Sequence, residues 1–195
     1  MHRWIEAGVG AGALAAATAT AVRGVPRWDT EGFAALNGGH DRLQYVLWGP
    51  MQLGALGSPL IIAGVRLVRG DRSGAMRTAA AGSAAWIGAK VLKKAVGRAR
   101  PAEHVPTTLR IGAADTGLGY PSGHAAVAVT VAQIGLAGLP AEPFHAAVPV
   151  VVGVSRIHVG AHFPLDVIGG WALGAVCVAV VDGLGDVIAA RVRAG

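Results

Sequence analysis

Six predominantly apolar stretches punctuate the chain, running roughly from Ala7 to Val22, Val46 to Val68, Gly74 to Val96, Gly123 to Leu139, Phe144 to Val154 (or on to Ile157), and Leu165 to Val187. A helix needs about 20 mostly apolar residues to cross about 30 Å of hydrocarbon, so this pattern predicts an all-α fold, a polytopic bundle of six transmembrane helices. The fifth stretch is short, and the first is mostly Ala, Gly and Thr. That first stretch also follows Met1-His2-Arg3 and contains Ala17-Thr18-Ala19, a pattern shared with cleavable signal peptides; a retained helix is the expectation adopted. Between the first two stretches, Pro26 to Tyr45 mixes Trp28, Phe33, Leu36 and Leu43 with Asp29, Glu31, Asp41 and Arg42. It reads as an amphipathic segment lying at the interface, or as a plain loop.

Composition agrees with a bilayer setting. The 195 residues are 53% hydrophobic and only 14% charged, with mean hydropathy +0.51, which is too apolar for an ordinary soluble domain. The net charge of +6 suits anionic lipid, an anionic substrate or nucleic acid. Nucleic acid is set aside because few aromatics accompany the cations and no binding motif is present. Cys177, the single cysteine, sits in an apolar run, so neither an intramolecular disulfide nor a cysteine-based metal site can form. No repeat or linker divides the chain, and residues 1–195 read as a single domain.

With six crossings, the ends of four segments fall on one membrane face. The stretch Lys93 to Pro101 closes the third segment, Ser122 opens the fourth, Arg156 closes the fifth, and His162 to Asp166 opens the sixth. Arg66, Arg69, Arg72 and Arg77, with Arg191 and Arg193 in the tail, mark the opposite face as cytoplasmic. The N- and C-termini are therefore expected in the cytoplasm. The connection from Ala102 to Tyr120, carrying Glu103, His104, Arg110 and Asp115, borders the convergence and reads as a loop admitting substrate or as a solvated connector.

The residues at this convergence suit a phosphate ester. Ser122, after Pro121 and before an apolar run, is placed as an N-cap, with Gly123 allowing close backbone approach. Unpartnered N–H groups at such a helix start bind anions, although Ser122 as a plain cap explains the tetrapeptide equally well. Lys93 and Arg100 bring a compact charge and a two-pronged donor to the same place, whereas Lys90, Lys94 and Arg98 read as cations snorkelling to the interface. Pro164 fits the first turn of a helix. Asp166, four residues beyond His162, can share a face with it, fix its tautomer and stabilise its cationic form, leaving the other ring nitrogen to attack phosphorus. His124 is placed as general acid toward the leaving oxygen. His158 lies four residues before His162, but no further ligand cluster accompanies the pair, and no metal or other cofactor is expected.

Lys93-x6-Arg100-Pro101, Pro121-Ser122-Gly123-His124 and Ser155-Arg156-x5-His162-x3-Asp166 resemble the three-part signature of the type 2 phosphatidic acid phosphatase superfamily, spanning residues 93–166. The resemblance implies metal-independent phosphate release through a phosphohistidine. It puts the nucleophile at His162, its orienting acid at Asp166, the leaving-group acid at His124, and the phosphate ligands at Lys93, Arg100, Ser122, Gly123 and Arg156. It also implies a phosphorylated lipid as substrate, either a polyprenyl (pyro)phosphate or a phosphatidic acid or phosphatidylglycerophosphate, and a site facing the extracytoplasmic side of a bacterial plasma membrane. Oligomeric state is left open. Two alternatives stand beside this reading: a vanadium-dependent haloperoxidase, which shares the signature but is large and soluble, and a non-catalytic lipid-phosphate-binding or transport protein, which would have little use for His162 and His124.

Overall fold

The structure, a computed structural model, describes residues 2–138 and 142–194. Met1 and Leu139, which open the signal-like start and close the fourth apolar stretch, lie outside the described residues, as does the side chain of Arg193. Eight α-helices appear among the described residues: α1 (His2–Val22), α2 (Arg27–Asn37), α3 (Leu43–Met51), α4 (Gly57–Val68), α5 (Arg72–Val96), α6 (Gly123–Thr130), α7 (Glu142–His158) and α8 (Pro164–Ala194).

Local chemistry sets the helix ends that matter. Asp71 caps α5 by accepting from the Gly74 N–H at 2.8 Å, a bond that holds its carboxyl below the usual carboxylate range. Gly97, at φ 69°, ends α5 in the left-handed conformation, its N–H returning to the Lys93 carbonyl at 2.9 Å. Pro164 begins α8, where a missing N–H costs nothing.

The long helix α8 is the spine. A Cβ on Gly174 would lie 2.7 Å from Val129 Cβ, and one on Gly170 would lie 2.8 Å from Ala125 Cβ and closer still to the Ser122 carbonyl. The two glycines, one turn apart, therefore let α6 approach α8 backbone to backbone. Ala85, Ala89, Ala126, Val127, Val131 and Leu173 fill the core among α5, α6 and α8, with Cys177 packed at its margin. Helix α1 joins on the other side, where Thr18 Oγ1 and the hydroxyl of the fully buried Tyr120 are hydrogen-bonded at 2.9 Å.

Several expectations change. By length and composition, Pro164–Arg191 is long and apolar enough to cross a bilayer; the second predicted span is broken into Leu43–Gly54 and Gly57–Val68, bent by 62°. Ala7–Val22, Gly123–Gly135 and Phe144–His158 are shorter apolar helices. The break follows Pro50 and a 3₁₀ turn over Gln52–Gly54. Gly54 abuts the His124 backbone there, a Cβ falling 2.6 Å from the His124 carbonyl oxygen. The α6 helix gives way to a π turn over Val131–Gly135.

Helix α2 does not sort its apolar and polar residues onto opposite faces. It buries Asp29, Phe33 and Asn37 together while Trp28 and Leu36 stay exposed. Of the cations that suggested a cytoplasmic loop, Arg66 donates to the carbonyls of Ile134, Gly135 and Ala137, and Arg77 pairs with Asp182. Arg66 ties the end of α4 to the π turn and Arg77 ties the start of α5 to α8, so their position has a structural cause apart from any sorting by membrane side.

Candidate active site

The end of α5, the starts of α6 and α8 and the end of α7 meet as the sequence predicts. The Ser122 N–H donates to the Asp166 carbonyl at 2.8 Å, stitching the start of α6 to the first turn of α8. Ser122 is the N-cap of α6, its side chain accepting from the Ala125 N–H at 3.4 Å. A Cβ on Gly123 would meet only Trp86 and Ala89 at ordinary contact distance, so internal packing does not explain a glycine there.

Three cations ring this turn. Lys93 Nζ donates to the carbonyls of Leu118 and Gly119 at 2.8 and 2.6 Å. Arg100 donates to the Ala161 carbonyl at 3.1 Å. Arg156, in the last turn of α7, donates to the Gly112 carbonyl at 3.0 Å and lies 3.3 Å from Met51 Sδ. The buried Nε atoms of both arginines have no protein partner, which leaves donors for an oxyanion. His124, at the first turn of α6, stands edge to face with Trp86, ring centroids 6.1 Å apart.

His162 lies in the short turn before α8 and is almost fully buried. Its Nδ1 is 3.5 Å from Asp166 Oδ2 and has no hydrogen-bond partner. Burial, reinforced by Lys93, Arg156, Arg100 and His124, pushes the imidazole well below the usual histidine range. All four groups thus bear on one ring. The neutral ring keeps one nitrogen lone pair. An imidazole titration followed by histidine NMR should place its midpoint below the ordinary value of about 6.5. The unfolded chain then binds the extra proton first as pH falls through that value, so acid removes stability in that window.

Arg98 overturns its expectation. Rather than snorkelling, its side chain is 3% exposed and clasped between two carboxylates: Nη1 donates to Asp166 Oδ1 at 2.6 Å, and Nη2 pairs with Asp29. Gly97 turns the chain inward at this point, and the Gly119 N–H fixes the Arg98 carbonyl at 2.7 Å. Lys90 and Lys94 are exposed, with Lys90 over the Trp86 ring.

The connection from Ala102 to Tyr120 is neither free nor merely solvated. The Arg110 guanidinium donates to the carbonyls of Asn37, Gly39 and His158 and to Asp41, while Asn37 brackets Thr108 with one bond in each direction. His158 Nδ1 is 3.0 Å from the Leu36 carbonyl, which makes it a tie between α7 and α2. No group of three metal-ligating side chains occurs among the described residues.

The model of the PAP2 superfamily matches residues 75–182, and the chain belongs to that superfamily. Among curated relatives, an undecaprenyl-diphosphatase of Sulfolobus acidocaldarius is 38% identical over 87 residues, 44% of this chain and 42% of the relative. Phosphatidylglycerophosphatase B of Bacillus subtilis is 32% identical over 111 residues, 51% of this chain and 52% of that protein. The chain thus spans about half the length of the curated relatives it matches. Among solved structures, the transmembrane PAP2-type phosphatidylglycerolphosphate phosphatase of Bacillus subtilis superposes with a TM-score of 0.58 at 26% identity, over 96% of this chain and 94% of that one. Aquifex aeolicus LpxE shares the fold, with a TM-score of 0.65 at 22% identity over 79% of this chain and 94% of that one.

Proposed function

We propose that this protein is an integral-membrane lipid phosphatase, one domain embedded in the bilayer, which hydrolyses a phosphomonoester or diphosphate through a phosphohistidine on His162. The observation that carries the reading is His162, backed by Asp166, within electrostatic reach of Lys93, Arg100 and Arg156. Those three cations, with Ser122 and the first N–H groups of α6, hold the phosphoryl oxygens. The Nε2 lone pair of His162 forms the N–P bond as the bond from phosphorus to the leaving oxygen breaks, and His124, which takes up a proton once the anionic phosphate is bound beside it, gives that oxygen its proton. Asp166 accepts from Nδ1–H and balances the positive charge that develops on the ring. Water, deprotonated by His124, then attacks phosphorus and returns His162 with release of inorganic phosphate. The charge that a metal would supply comes from the three cations, so no metal takes part.

The lipid tail has a path out of this site. A groove of about 430 Å³ runs from Lys93 and Arg100 along α5, floored by Ile87, Val91 and Leu118 and flanked by Lys90 and Lys94. Four cations beside one apolar groove exceed what a single phosphate needs, and the undecaprenyl-diphosphatase relative points the same way; a polyprenyl diphosphate is the proposed substrate. The site is proposed to face the extracytoplasmic side, with both termini in the cytoplasm. Phosphate release by purified protein in detergent micelles, with EDTA present, should be fastest on farnesyl diphosphate in a panel with phosphatidic acid and phosphatidylglycerophosphate. Faster turnover of either glycerophospholipid would reassign the substrate, and no release from any of the three would defeat the reading.

A further inference from the structure

Asp29 lies on α2, far from every signature residue in the sequence, yet it is fully buried behind the nucleophile. Its Oδ1 accepts from the Leu165 N–H at 2.7 Å, one of the N–H groups left free at the start of α8. Its other oxygen pairs with Arg98, whose second arm holds Asp166 Oδ1. Asp166 Oδ2 takes the Phe163 N–H at 3.0 Å and faces His162 Nδ1. Each oxygen of both carboxylates thus has an assigned donor, and neither carboxylate can rotate without breaking one. Every oxygen of the two carboxyls faces an N–H donor, the arrangement that suits the carboxylate form. The Arg98 guanidinium is further fixed 4.9 Å above the Phe163 ring, which itself packs edge-on against Phe33 of α2.

Charge gives the arrangement its meaning. Arg98 alone would neutralise Asp166 and blunt it as a counter-ion for the imidazole. With Asp29 included, two carboxylates face one guanidinium, and the cluster keeps one net negative charge behind His162. Resting on His162 as nucleophile, we infer that Asp29 and Arg98 are positioning residues: their buried clasp fixes the Asp166 carboxylate and preserves its charge toward the attacking ring. The other charged or titratable groups around that ring are Lys93 from α5, Arg100 beyond it, His124 from α6 and Arg156 from α7, and none of them touches Asp29.

The test pairs steady-state kinetics on farnesyl diphosphate, or on phosphatidic acid should that turn over faster, with the NMR titration of His162 in the purified full chain. Asp29→Asn keeps an acceptor for the Leu165 N–H but removes the surplus charge. It should lower kcat at least about tenfold with KM unchanged, and move the His162 midpoint down by about one pH unit. Asp29→Asn combined with Arg98→Met again leaves one net negative charge, so the midpoint should return toward the wild-type value while kcat stays low for want of the clasp. A midpoint unmoved in Asp29→Asn, or no closer to wild type in the double variant, overturns the inference. Should Asp29→Asn not fold, Arg98→Lys, which keeps the charge and loses the fork, should retain the midpoint and lose kcat; full activity there is equally fatal. Wild-type phosphate release by His162→Ala would instead sink the nucleophile assignment itself.

Discussion

Alanine at position 162 is expected to abolish phosphate release from farnesyl diphosphate, with a drop in kcat of at least about 10⁴-fold and a protein that purifies and melts like the wild type. The size follows from the role. On the proposed roles, removing Arg100 would leave the covalent route open at reduced efficiency, whereas removing the imidazole would leave only water to attack the bound phosphoryl group. Trapping phosphate on the wild-type chain by acid-free quenching, and its absence from the variant, separates a covalent route from direct hydrolysis. A chain that retains activity without His162 has another mechanism.

The second large effect is expected from the smallest substitution. Gly170→Ala puts a methyl group against the Ser122 carbonyl and 2.8 Å from Ala125 Cβ, contacts that α6 can relieve only by moving away from α8. Overpacking of this kind costs about 1–3 kcal/mol, readable as a lowered Tm in detergent. The displaced residues carry the Ser122 turn and His124, and a shift of about 1 Å in such groups costs about 10²-fold in rate. Gly8, whose Cβ would meet nothing within 4 Å, supplies the control: Gly8→Ala should change neither Tm nor turnover.

Much of the site was legible because its residues sit at helix ends, where local grammar is strong. Ser122 after a proline, Pro164 at a first turn and the four-residue step from His162 to Asp166 each follow from spacing alone, and the structure brings these ends together. Arg98 was misread because its sequence surroundings, next to Lys93, Lys94 and Arg100, look like any cationic helix end; what draws it inward is Asp29, which no local pattern connects to it. A trace existed in α2. Asp29, Phe33 and Asn37 recur every four residues on one face, a spacing that joins a carboxylate and an amide to an aromatic core residue and so marks a buried polar face. The break in the second predicted span was also visible as Pro50 and Pro59, but hydropathy averages over such residues and reports only that the stretch is apolar.

Lys93, Arg100 and Arg156 rest on main-chain oxygens, and among the described residues no carboxylate is hydrogen-bonded to any of them. Neutral dipoles steady the cations without cancelling their charge. Under the proposed function, an arriving phosphate would have no ion pair at these three cations to dismantle. The same feature bears on the proposed reaction in reverse: inorganic phosphate freed at this site would meet the same three cations, so departure of product is expected to be slower than capture of lipid.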